Sequence, residues 1–79
     1  MKFYEAVVAR IEELKKQKEL TQYALSTRST VPQTTLVSIK RLRSKAVSGN
    51  IIYLLCEGFD ISLEEFYSSP LFSRDNLEM

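Results

Sequence analysis

The side chains best suited to chemistry lie within one short stretch, Gln33, Thr34, Val37 and Ser38. A glutamine carboxamide presents a donor and an acceptor side by side, which matches N6 and N7 of adenine in a bidentate pair. Thr34 and Ser38 are short hydroxyls that donate or accept and so read base edges more ambiguously. Val37 is apolar on a nominally exposed face, where it either meets a thymine methyl or closes the edge of the core. Around this set the charge is one-sided. Arg28, Lys40, Arg41, Arg43 and Lys45 fall within residues 28–45 with no acid among them, a local charge of +5. Such a segment favours phosphates through counterion release. A charge run by itself is more often a solvated helix face, and its coincidence with the polar set is what gives it weight.

Two short helices must position these residues. Thr21 is an N-cap candidate, and Gln22, Tyr23, Ala24 and Leu25 follow it with apolar side chains where a short helix would bury them. Ser29 and Thr30 favour local side-chain to backbone bonds over helix continuation, and Pro32 is tolerated only in the first turn of a new helix. A break at residues 29–31 is therefore expected. From Gln33 onward Leu36 and Ile39 recur at helical spacing, while Gln33, Thr34, Ser38 and Arg41 fall away from that edge. The layout of Leu20 to Ile39 is that of a helix-turn-helix, with the second helix keeping a polar face for a DNA groove.

An ordered series of residues carries a resemblance. It runs Arg10-Ile11-x-x-Leu14, Leu20-Thr21-Gln22-x-x-Leu25, Val31-Pro32, Thr35-Leu36, Ile51-Ile52, Leu55-Cys56-Glu57-Gly58 and Ile61-Ser62-Leu63-x-Glu65-Phe66. Over about residues 8–67 the chain resembles the Cro-like and phage-repressor helix-turn-helix regulators of the XRE family. The resemblance implies an all-α fold, a compact five-helix bundle of the lambda-repressor-like DNA-binding type. It implies base contacts from Gln33, Thr34 and Ser38. Phosphate contacts would come from Gln22 at the start of the second helix and from Arg41, Arg43 and Lys45 after the third. Departures accompany the matches. Thr30 stands where the family usually has glycine, so either the turn is remodelled or a β-branched residue is strained at positive φ. Lys40-Arg41-Leu42 replaces a usual Glu-x-Gly, which leaves the end of the recognition helix open by about a turn. Val47 replaces a proline and Gly49 a core leucine.

The rest of the chain reads as scaffold. Seventy-nine residues with 44% apolar content bury one small core. Helix one spans roughly Phe3 to Lys18 with Val7, Ile11 and Leu14 on its inner face. Helix four spans about Ser48 to Gly58 and is apolar on several sides. Ser62 opens a last helix, with Glu65 at capping-box spacing. One domain over 1–69 is expected, followed by a tail over 70–79 that stays loose unless Leu71 and Phe72 dock. Phe66, Tyr67, Leu71 and Phe72 are read as C-terminal packing or as a homodimer seam, since small readers of this kind pair to span two half-sites. The formal charge of +1 hides polarity, because residues 46–79 hold six acids against Arg74 alone.

Catalysis has little to work with. The chain has no histidine, one cysteine and no glycine-rich phosphate loop, and the adjacent Glu64 and Glu65 face different directions on a helix. Cys56 reads as a small core residue. No enzyme activity, cofactor, metal or small-molecule ligand is expected. Without a signal-peptide core or a membrane-length apolar run, a cytoplasmic location is expected. The reading is a homodimeric, sequence-specific regulator binding double-stranded DNA. The alternative is a degenerate helix-turn-helix that binds a protein, as an antirepressor or antitoxin-like partner would.

Overall fold

The computed structural model describes residues 1–41 and 47–78. Among these the chain forms five α-helices and no strand: α1 Phe3–Gln17, α2 Gln22–Ser29, α3 Gln33–Lys40, α4 Gly49–Phe59 and α5 Leu63–Tyr67, then a 3₁₀ turn at Pro70–Phe72. This is the all-α, compact five-helix bundle expected from the periodicity, with a Cα radius of gyration of 11.8 Å, close to the ~12 Å of a well-packed chain this long.

Each helix starts and stops for a local reason. Glu5 accepts the Lys2 backbone N–H at the head of α1. Thr21, Ser48 and Ser62 each accept a backbone N–H three residues on, from Ala24, Ile51 and Glu65, satisfying donors that a helix start leaves open. The ends of α1 and α4 close the same way. Glu19 at φ 54 and Asp60 at φ 60 adopt the left-handed conformation, and Leu20 N–H reaches Lys15 O while Ile61 N–H reaches Cys56 O. These are Schellman closures made without glycine.

The core lies where α1, α2 and α4 meet. Val7, Ile11 and Leu14 of α1 pack with Leu25, Val31, Leu36, Ile39, Ile52, Leu55, Cys56, Phe59 and Phe66. One contact sets how closely α2 and α4 approach. A Cβ on Gly58 would lie 2.8 Å from Ser29 Cβ and 3.0 Å from Ser29 N, closer than side chains tolerate. Gly58 therefore sits inside α4 because of a neighbour, with an ordinary helical backbone, and helix four runs one residue beyond it.

Burial corrects two expectations. Tyr23 is 59% exposed, because α2 buries only the stripe Leu25 and Ser29 and Tyr23 projects about 200° around the helix from Leu25. Phe66 is fully buried, so it belongs to the core and leaves any dimer seam. Residues 70–78 take the docked alternative. Phe72 packs on the core with its ring 5.9 Å from Phe66 and 4.9 Å from Tyr67. The Asn76 side chain donates to Leu71 O, and Glu78 N–H donates to Met1 O.

Arg10 is the buried charge of this scaffold, 7% exposed. Its Nε donates to Phe66 O at 2.7 Å and its Nη2 to Glu65 O at 2.8 Å. The remaining amino group, Nη1, pairs with Glu13. A five-residue helix is too short to hold itself, and the guanidinium satisfies the carbonyls at its C-terminal end, where a cation is also favoured by the helix dipole. Arg10→Met leaves the buried Phe66 carbonyl without its side-chain donor, while Glu65 O keeps the Ser68 N–H, and denaturant unfolding should register a loss of about 2–3 kcal/mol. Arg10→Lys keeps the charge but not the fork and should restore less than half. Gly58→Ala should cost about 1–2 kcal/mol, overpacking outweighing the gain in helix propensity. Unchanged or increased stability in the same unfolding assay would rule out the close approach to Ser29.

Candidate nucleic-acid interface

The turn that sets α3 against α2 is Thr30, Val31 and Pro32. Thr30 adopts φ 63, ψ 11, so the turn keeps the left-handed step and Thr30 carries its strain, about 1–2 kcal/mol for a β-branched side chain. The neighbours hold it there. Val31 is buried, its N–H donates to Ser29 Oγ at 3.2 Å, and Ser26 Oγ donates to its carbonyl at 2.6 Å. Ser29 is thus both the small residue against Gly58 and an acceptor inside the turn.

Beyond this turn α3 buries Leu36 and Ile39 and turns Gln33 and Thr34 to solvent. Val37 and Ser38 are half-buried at the flank, and Arg41 is exposed at the C-terminal end, where its N–H closes the helix on Val37 O. Pro32 precedes the helix and no side chain caps its first turn; Thr35 N–H turns back to Pro32 O, which leaves the Gln33 and Thr34 N–H groups to an outside acceptor. The structure therefore brings Gln33, Thr34, Val37, Ser38 and Arg41 together on one short helix. Gln22 is half-buried and lines a small groove with Glu12, Lys15 and Lys40 between α1 and α3. Arg43 and Lys45, like Leu42, lie outside the described residues.

The electrostatics divide the basic residues. No acid occurs between Glu19 and Glu57. Lys40 is drawn back to Glu12 of α1 at 3.6 Å, and Glu12 also holds Lys15 at 3.3 Å. Among the described residues Arg28 and Arg41 form no ion pair and remain available to a phosphate. Sequence reasoning placed Arg28 in the charge run but gave it no role, and it missed the Glu12 pairing, which joins elements 28 residues apart and carries no local signal.

Among the described residues no group of three His, Cys, Asp or Glu side chains is placed to hold a metal, every buried side-chain N or O has a hydrogen-bond partner, and no helix is long and apolar enough to cross a membrane. Burial, reinforced by the Glu57 charge and opposed by that of Arg10, pushes the Cys56 thiol up to about 11. It stays a protonated thiol at neutral pH and a poor nucleophile.

Of the C-terminal aromatic set, Tyr67 is exposed and Leu71 and Phe72 are half-buried. Phe3 joins them from the other end of the chain, 49% exposed and stacked on Tyr67 at 6.5 Å. The N-terminal aromatic had no nearby sequence partner to reveal it. No protein-family model, no curated protein and no solved structure matches this chain.

Replacing Thr30 by glycine removes the left-handed penalty while adding unfolded-state entropy. Thr30→Gly should raise stability by about 0.5–1 kcal/mol and the melting temperature by about 3–6 °C. A lower melting temperature would show that the Thr30 side chain stabilises the turn rather than straining it.

Proposed function

We propose that this chain is a sequence-specific, double-stranded DNA-binding transcription regulator of the Cro-like, phage-repressor type, of the XRE family, acting in the cytoplasm as a homodimer. The observation that supports this most is α3 itself. Its first turn is exposed and uncapped, Gln33 and Thr34 lead it, its apolar edge is buried, and the segment from residue 20 to residue 56 has no acid. A helix of this kind enters the major groove N-terminus first.

Gln33 contacts a base, adenine fitting its carboxamide best, and Thr34, Val37 and Ser38 complete the reading edge. Gln22, Arg41, Arg43 and Lys45 hold phosphates, which position the helix without reading sequence. Tyr67, Leu71 and Phe72 form the seam between copies, with Phe3 in the place that Phe66 leaves. Two copies related by a twofold axis would read half-sites about one helical turn apart. The chemistry needs no cofactor and no small ligand.

A second reading, a helix-turn-helix that binds protein instead, draws support from the other half of the molecule. Tyr53 and Leu63 are 49% and 43% exposed in a region whose charged residues from 47 to 73 are all acidic.

Anisotropy titration against random duplex, with selection and sequencing of the bound fraction, separates the two. Enrichment of a palindrome supports the dimeric reader, and weak or unselective binding at low salt supports the protein partner. On the selected site Gln33→Ala should lose about 1–3 kcal/mol and relax one base preference while leaving random-duplex affinity unchanged. Equal losses on both duplexes would remove Gln33 from base reading.

A further inference from the structure

The outer face of α2 is not used by the core or by the reading edge of α3. Thr21, Tyr23, Ala24, Thr27 and Arg28 line a shallow open concavity there. Tyr23 is the most exposed large apolar-bodied side chain among the described residues, on a helix whose packing uses only Leu25 and Ser29.

The donors on this face are specific. Thr27 Oγ1 donates to Tyr23 O at 3.0 Å, so its proton is spent and it serves as wall. Thr21 Oγ1 accepts the Ala24 N–H, which leaves its own O–H to give. The Tyr23 phenol is carried into solvent, and Arg28 has no ion pair among the described residues. Two hydroxyl donors and one guanidinium therefore line a face that has no carboxylate between Glu19 and Glu57 in the chain. A ligand there must accept hydrogen bonds and carry negative charge, and a planar guanidinium engages phosphate oxygens in pairs.

We infer that the α2 outer face, through Tyr23 and Arg28 with Thr21, grips a phosphodiester of the DNA backbone separate from the one held by Gln22. This rests on the DNA-binding reading above and deepens it. Gln22 faces the groove that α2 shares with α1 and α3, whereas Thr21, Tyr23 and Arg28 line the outward concavity together, so the two faces of α2 meet different phosphates. The grip adds a charge contact on the helix that carries α3 and fixes how deeply α3 sits, without reading sequence.

The test measures binding of the full chain to its selected duplex and to random duplex from 50 to 300 mM salt. Arg28→Ala should weaken both alike, about fivefold at 0.15 M, and flatten the log–log salt slope by about 0.9. Tyr23→Phe keeps the ring and removes the donor, so it should weaken both severalfold with the slope unchanged. Both side chains are exposed, and matching melting curves exclude misfolding as the cause. An unchanged slope for Arg28→Ala, while Arg41→Ala flattens it, overturns the α2 grip and leaves the DNA reading standing. A loss confined to the selected duplex also overturns it, since that would be base reading. No duplex binding by the unaltered chain at 50 mM salt overturns both.

Discussion

The close approach of α2 to α4 at Ser29 and Gly58 is the constraint on which the remainder depends. With no side chain on Gly58, the backbone at Ser29 sits where a Cβ would otherwise go. That brings the C-terminal end of α2 onto the central helix and lets Leu25 reach the core. The turn through Thr30 begins at the very next residue, so any displacement of Ser29 is passed to α3. Interiors are dense and poorly compressible, and such a displacement is not absorbed locally. The orientation of the proposed reading helix is thus set by a missing methyl on another helix.

The opposite end of the molecule is held by hydrogen bonds rather than by close packing. Arg10 reaches from α1 to the last carbonyls of α5, and Phe66 seals the core beside it. Burying a guanidinium is costly unless its donors are used, and here all three kinds of nitrogen have acceptors. This joint lets a five-residue helix act as structure, and it carries the aromatic corner of Phe3, Tyr67 and Phe72. The charge is one-sided in two stretches: residues 20–56 hold Arg28, Lys40, Arg41, Arg43 and Lys45 with no acid, and residues 57–79 hold six acids against Arg74 alone.

Backbone strain is distributed in a way that composition does not suggest. Among the described residues three non-glycine positions adopt the left-handed region, Glu19, Thr30 and Asp60, and neither glycine of the chain occupies such a position. At Glu19 and Asp60 the conformation closes helices with two backbone hydrogen bonds each, which offset the strain. At Thr30 the return is the turn itself, stabilised by the buried Val31 and the bonds through Ser26 and Ser29. Strain of this kind persists where the surroundings over-determine it, and it lies beside the helix proposed to do the reading.

The helices were legible because their causes are local. Thr21, Ser48 and Ser62 mark three starts, and the spacing of Val7, Ile11 and Leu14 and of Leu36 and Ile39 marks inner faces, all through hydrogen bonds or periodicity within a few residues. The exposure of Gln33 and Thr34 followed from that same wheel. What only tertiary structure decided involves partners distant in the chain. Phe66 and Tyr67 are adjacent aromatics, yet one is core and the other surface, because α5 meets α4 and Arg10 on one side only. Tyr23 looked apolar enough to bury, but an eight-residue helix against one neighbour has a single inner stripe. Gly58 reads from the sequence only as the last residue of helix four, and the reason it must be glycine lies 29 residues away at Ser29. Periodicity determines which face of a helix turns inward; which neighbour covers that face, and how closely, depends on contacts that no local pattern encodes.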